Sequence, residues 1–132
     1  MNLEQALHQR WSSNQALVSV LAADRVTTGR SSLGSLPRAT ISRRSRRTVC
    51  HTNSGDVLEE VTVEMRLRHQ SFDDGIAIVQ QFLTTFDRTQ FSLPDGAEVL
   101  SLRRLEDDCH QADDGTWQFC IQMLARVHLP SS

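Results

Sequence analysis

Residues 117–129 alternate between apolar and mostly polar side chains over an unusually long stretch. Successive residues of a strand point to opposite faces of a sheet, so this period of two predicts a strand with one face in the core. At about 3.3 Å per residue, such a strand is much longer than the usual five or six residues. The residues predicted to point inward are Trp117, Phe119, Ile121, Met123, Ala125, Val127 and Leu129.

A second alternating run covers residues 61–68 and predicts a half-buried antiparallel strand with one face in water. Its inward residues are Val61, Val63, Met65 and Leu67. Residues 53–56 precede it and have the composition of a hairpin turn. Further upstream, residues 39–41 and 48–51 look extended, and the arginine-rich run 43–47 separates them.

Two regions have helical spacing of apolar residues. Residues 3–21 predict one helix or two short ones, with Asn14 capping the second, because residues 12–14 favour caps over helix interiors. A later helix is predicted to begin after Ser71, where Asp73 and Asp74 suit the positive end of the helix dipole. Its predicted inward stripe is Ile76, Val79, Phe82, Leu83 and Phe86.

The remaining segments are predicted to form connections and one further strand. Residues 23–37 predict a flexible connection, and residues 93–96 a turn. Residues 99–105 predict a strand, followed by a charged loop over 106–115. The order of helix, loop, hairpin, helix and hairpin predicts an α+β fold, with helices packed on one face of an antiparallel sheet. The length of 132 residues suits a single domain that spans 1–132.

Composition excludes several classes of protein. The net charge is -2, which argues against a general nucleic-acid binder. All 14 basic residues are arginine, a residue suited to fixed pairing with carboxylates, although a GC-rich coding bias explains the usage equally well. Three cysteines predict free thiols in a reducing compartment. No secretory signal and no apolar run of about 20 residues is present, so a soluble, non-membrane protein is expected.

No residue pattern predicts chemistry at a catalytic, cofactor or metal site. The dipeptides Cys50-His51 and Cys109-His110 offer zinc ligands, but adjacent strand residues point to opposite faces and the spacing does not close a site. Four acidic residues lack the ligand order of a calcium loop, and suit a solvated loop or an acidic contact surface: Asp107, Asp108, Asp113 and Asp114. No nucleophile motif or phosphate-binding glycine loop occurs. We therefore expect a protein that is not an enzyme.

One local charge anomaly is a candidate interface: Arg43, Arg44, Arg46 and Arg47. These side chains suit an acidic protein partner, the chain's own acidic residues, or nucleic acid, and a solvated loop or hairpin arm is the simplest alternative. Nucleic acid ranks last because no aromatic side chains are interleaved for base stacking.

The order of these segments resembles the small tail-completion, or tail-terminator, proteins of long-tailed bacteriophages and related prophages. The residues that carry the resemblance are 17–21, Arg25-Val26, Gly29, Leu36-Pro37, 61–68, the 73–86 helix and Val127-His128-Leu129. The pattern covers nearly the whole chain and includes no signature motif. The arginine run departs from it.

The resemblance implies a ring, typically a hexamer, at the head-proximal end of the tail tube. The implied partners are copies of the chain, the tail-tube protein and the head-connector protein. The implied location is the cytoplasm during assembly and then the virion or tail-like particle. Two other classes stay open: a dimeric α+β domain that binds a small ligand or catalyses a reaction, and a nucleic-acid-binding module that uses Arg43 to Arg47.

Overall fold

The structure is a computed structural model that describes residues 2–29 and 34–130. Its helices are α1 (Leu3–Ser12), α2 (Gln15–Val20) and α3 (Phe72–Phe86), with a short 3-10 helix at Ala23–Arg25. Its strands are β1 (Val26–Thr28), β2 (Arg38–His51), β3 (Val57–His69), β4 (Thr89–Ser92), β5 (Glu98–Gln111) and β6 (Trp117–Leu129). The predicted α+β class is confirmed.

The strands form one 6-stranded sheet in the order β1-β2-β3-β6-β5-β4. All neighbouring pairs are antiparallel except β1 and β2, which are parallel, so the sheet is mixed. The prediction of a wholly flexible connection over residues 23–37 was wrong, because this segment contains a 3-10 helix and β1. β1 is three residues long, too short to show a period in the sequence. Residues 30–33 of the segment lie outside the described residues.

Two long hairpins, β2–β3 and β5–β6, make up the centre of the sheet. Val57 lies opposite Leu129, and His69 lies opposite Trp117. The hairpin turn at 52–56 is therefore at one end of the sheet, and the turn at 112–116 is at the other end. β1 pairs only with the beginning of β2, and β4 pairs only with the beginning of β5. The second half of each long strand therefore extends beyond its short neighbour.

Two charged runs predicted as interruptions or loops are strand. β2 continues through residues 43–47 with irregularities in register at 43/45 and 48/50. β5 continues through residues 106–111 with irregularities at 99/101 and 104/106. The neighbouring strands β3 and β6 supply backbone partners for both runs, so side-chain polarity does not prevent strand formation. The predicted turn at residues 93–96 is confirmed by the bond from the Gly96 amide to the Leu93 carbonyl, at 3.1 Å.

The core lies between one face of the sheet and the three helices. We call this side of the sheet the helix face, and the other side the open face. The inward residues predicted for β3 are all buried, and those of β6 are buried from Phe119 to Val127, while Trp117 and Leu129 pack at its margin. The indole N–H of Trp11 donates to the Leu21 carbonyl at 3.0 Å, which satisfies a fully buried polar group.

Helix α3 differs from its predicted stripe at three positions. Val79, Phe82 and Phe86 are buried as expected, but Ile78 is fully buried while Ile76 and Leu83 are only partly buried. The helix approaches β6 so closely at Gly75 that a Cβ atom there would overlap the Phe119 ring. The side chains of Asn14 and Ser71 accept from backbone amides at the starts of α2 and α3, as predicted.

Candidate assembly surface

The predicted interface arginines lie on an uncovered edge of the sheet. β1 pairs only with residues Ala39 to Ile41 of β2, and every residue from 43 to 51 is exposed. Within the described residues, no strand pairs with the outer side of this segment. We call residues 43–51 the β2 edge.

The irregular register of β2 divides its four arginines between the two faces. Arg43 lies opposite Val63 and Arg46 opposite Val61, and both partners point into the core. Cross-strand neighbours share a face, so Arg43 and Arg46 lie on the helix face. Arg47 lies opposite Glu60 on the open face. Arg44 also reaches the open face.

Each of these arginines forms an ion pair with a glutamate of its own chain. On the helix face, Arg43 Nε lies 2.8 Å from Glu4 Oε1, and Arg46 Nε lies 2.7 Å from Glu59 Oε2. On the open face, Arg44 pairs with Glu64 and Arg47 with Glu60. Three of the glutamates are almost completely buried: Glu4, Glu59 and Glu64. The arginines therefore provide counter-charge for carboxylates that the fold has removed from water.

This pairing bears on the alternative of nucleic-acid binding. Four carboxylates, those of Glu4, Glu59, Glu60 and Glu64, lie within ion-pair distance of the arginine nitrogens. They reduce the positive potential that the cluster presents to a phosphate backbone. The aromatic ring pairs lie among the helices and β6, away from the β2 edge. The β2 edge therefore has charged side chains but lacks the aromatic side chains on which nucleic-acid bases stack.

Glu64 is the most constrained of these carboxylates. Arg66 donates to it from the same strand, the Cys120 thiol donates from β6, and Arg44 lies at 3.5 Å. Burial works to raise the pKa of Glu64, but these hydrogen bonds and the arginine charges outweigh burial and hold it below its ordinary value. Burial, followed by the charge of Glu64, raises the pKa of the Cys120 thiol to about 11, so this cysteine stays protonated and unreactive.

We expect the protein to lose stability in acid, partly through Glu60 and Glu64. The hydrogen bond from Arg47, aided by one from Arg126, lowers the pKa of Glu60 as well. A carboxyl whose folded pKa lies below its unfolded pKa stabilises the fold fully above the unfolded value, and this stabilisation is lost as pH falls through the folded pKa. Urea-denaturation midpoints should therefore fall steadily below pH 5. Glu60→Gln should flatten this slope, and a midpoint that rises on acidification contradicts the account.

A second uncovered edge lies on the opposite side of the sheet. β4 pairs with β5 only between Glu98 and Leu102, and residues 103–111 are all exposed. We call residues 103–111 the β5 edge. Asp107 lies opposite buried Ile121 and belongs to the helix face, while Glu106 and Asp108 belong to the open face. Arg104 Nη1 lies 3.3 Å from Asp107, but no hydrogen bond or ion pair joins the side-chain carboxylate of Glu106 or Asp108 to any described residue.

The structure separates the side chains considered for metal binding. Cys50 and His51 lie on the β2 edge, and Cys109 and His110 lie on the β5 edge, across the width of the sheet. Among residues 2–29 and 34–130, no group of three or more His, Cys, Asp or Glu side chains converges. Of the four acidic residues considered for calcium, Asp107 and Asp108 lie on β5, and Asp113 and Asp114 lie in the following turn, where Asp114 accepts from Thr116.

A shallow apolar hollow adjoins the β5 edge on the helix face. It has a volume of about 230 Å³ and lies between α3 and the strands. Its walls include Ile76, Val79, Asp107, Phe119 and Ile121. This volume lies below the ~300–1,000 Å³ of typical ligand pockets, so the hollow fits a few side chains better than a small molecule.

Comparison with known proteins finds a likeness in fold. No protein-family model and no curated protein sequence matches the chain. The fold is similar to that of a chain in the solved structure titled "Virion of native gene transfer agent (GTA) particle". The TM-score is 0.70 at 12% identity, with 96% of this chain and 94% of that chain covered. The likeness therefore extends over nearly all of both chains. None of the helices in residues 2–29 and 34–130 combines the length and the apolar character that a membrane span needs.

Proposed function

We propose that this chain is a structural protein of a phage tail or of a prophage-derived tail-like particle. Its role is to form a ring that ends the tail tube and joins it to the head connector. The observation that carries the proposal is the shared fold with a chain of the gene transfer agent virion, over 96% of this chain. The order of segments that resembles tail-terminator proteins supports the same role.

The mechanism of such a ring is selective binding. A contact between two different surfaces of one chain joins copies head to tail, and it closes into a ring when the rotation between neighbours divides a full circle. A closed ring leaves no lateral surface free to recruit another copy. Its two flat sides then differ, so that one side binds the tail-tube protein and the other binds the head-connector protein. A hexamer is the expected state, and the role requires neither a catalytic residue nor a cofactor.

Two features of this chain suit that mechanism. The β2 edge and the β5 edge lie at opposite sides of one sheet, as a head-to-tail contact requires. Charged side chains protect both edges in the isolated copy, because charge on an edge strand opposes indiscriminate pairing. Deletion of the gene, followed by electron microscopy of tails and heads, tests the proposed role.

A further inference from the structure

We infer that the β2 edge of one copy pairs with the β5 edge of the next copy and that this contact links neighbours in the assembly. The inference rests on the proposed ring and identifies the surfaces that form it. The partner at each edge is therefore a second copy of this chain. The contact is heterologous, since each copy contributes a different strand on each side.

Both edges have the geometry that strand pairing needs. Each is the outer half of a long strand whose first half is already covered by a short strand. β2, β3, β6 and β5 are successive antiparallel neighbours, so β2 and β5 run antiparallel to each other within one copy. A neighbour placed in the same orientation therefore presents its β5 edge antiparallel to the β2 edge. The sheet continues from copy to copy with all helices on the same side.

Charge favours this pairing over the symmetric pairing of two β2 edges. Two β2 edges would bring arginines against arginines, whereas the β5 edge presents Glu106, Asp107 and Asp108 to them. In the antiparallel register that matches faces, Arg46 lies opposite Asp107 on the helix face and Arg47 lies opposite Glu106 on the open face. The carboxylates of Glu106 and Asp108 have no partner among the described residues, so they are available to a neighbour.

Each edge also carries one exposed apolar side chain. Val49 is 46% exposed on the β2 edge, and Leu105 is 48% exposed on the β5 edge. In the register given above they fall within one position of each other. The apolar hollow beside α3 adjoins the β5 edge further along, at Asp107 to Cys109. Pairing the two edges removes the side chains of Val49 and Leu105 from water, which stabilises the contact in addition to its backbone hydrogen bonds.

The positions of the edges also give the offset between neighbours. The β2 edge runs toward the turn at 52–56, and the β5 edge runs toward the turn at 112–116, at the other end of the sheet. Aligning them shifts each copy by about half a strand relative to the one before. In a closed assembly such a stagger tilts the strands relative to the axis, as in a barrel.

Cross-linking of two single-cysteine variants tests the contact. One variant carries Val49→Cys and the other Leu105→Cys, each in a chain with Cys50→Ser, Cys109→Ser and Cys120→Ser. A short bis-maleimide is added to each variant alone and to their mixture over a range of protein concentrations. The matched control replaces Leu105→Cys with Leu100→Cys, a leucine of similar exposure on the half of β5 that β4 covers. Circular dichroism of each variant verifies that the fold is retained.

The expected result is a covalent dimer from the mixture and little product from either variant alone or from the Leu100→Cys control. Adding Glu106→Lys and Asp107→Lys to the Leu105→Cys variant should lower the yield about tenfold, because the attractive contacts with Arg47 and Arg46 become repulsive. Three results would overturn the inference: equal product from one variant alone, equal product with Leu100→Cys, or no product at any concentration. A failed cross-link alongside a positive deletion phenotype would overturn the edge contact and leave the proposed function standing. Cross-linking without a deletion phenotype would support the edge contact and overturn the proposed function.

Discussion

Met123→Asp is expected to prevent stable folding. Met123 is 1% exposed, lies opposite Val63 on β3, and belongs to the alternation that places β6 in the core. The substitution removes a large apolar side chain and puts a carboxylate in the core, where its cross-strand neighbour on β5, Arg104, is half-exposed and already pairs with Asp107. The combined loss is about 4 kcal/mol or more, a large share of the ~5–15 kcal/mol that stabilises a typical domain.

Gln118→Asp is the matched control on the same strand. Gln118 lies on the open face opposite Arg68 and is only partly buried, so the new carboxylate gains a nearby cation and remains hydrated. Urea denaturation followed by circular dichroism measures both variants. We expect a native-like midpoint for Gln118→Asp and little or no folded Met123→Asp. Equal midpoints would mean that the inward register of β6 is misassigned.

The double variant Arg43→Gln/Arg46→Gln is expected to lose about 3 kcal/mol of stability. These are the helix-face arginines, and they supply the only ion pairs that the described residues make with buried Glu4 and Glu59. Glutamine donates a hydrogen bond but carries no charge, so both carboxylates remain buried without a counter-ion. The arginines are themselves partly exposed, which places the loss below that of two fully buried pairs.

Arg44→Gln/Arg47→Gln provides the comparison with equal charge removed from the same strand. Glu64 keeps Arg66 and Glu60 keeps Arg126, so each open-face carboxylate retains a cation. This variant should lose much less stability than Arg43→Gln/Arg46→Gln in the same urea titration. If Arg44→Gln/Arg47→Gln proves the more destabilising variant, then the burial of Glu4 and Glu59 does not determine how much the arginines contribute to stability.

The central strands β3 and β6 were predictable because each of their side chains faces either the core or water. β3 and β6 each have a core on one side and water on the other, so their sequences alternate and their inward residues could be named. The start of α3 was equally predictable, because Ser71 caps a helix that has two acidic residues in its first turn. In these segments local pattern and tertiary environment agree.

The outer halves of β2 and β5 were not predictable because neither face of them is buried. Their side chains are exposed on both faces, so the sequence has no period of two and resembles a loop. What makes them strands is backbone pairing with β3 and β6, which depends on residues far away in the chain. β1 and β4 are too short to carry a pattern.

The sequence indicated the charged residues of the candidate surface but not their arrangement. The charge of the arginine run and the acidic residues near 107 both indicate contact surfaces, but no sequence pattern places one near the other. Their places at opposite edges of one sheet follow only from the strand order. The pairing of Arg43 with Glu4 joins residues 39 positions apart and leaves no local signature. Whether the arginines act in an interface stays a prediction.

Electron microscopy of particles from a gene-deletion strain tests the proposed role most directly. Without a ring to end the tube, tube subunits continue to add, and without a joining surface the head connector has nothing to bind. We predict tails of excessive and irregular length together with separate tailless heads. Wild-type protein supplied in trans should restore joined particles with tails of uniform length. Normal tails attached to heads in the deletion strain would contradict the assignment of this chain to the tail end.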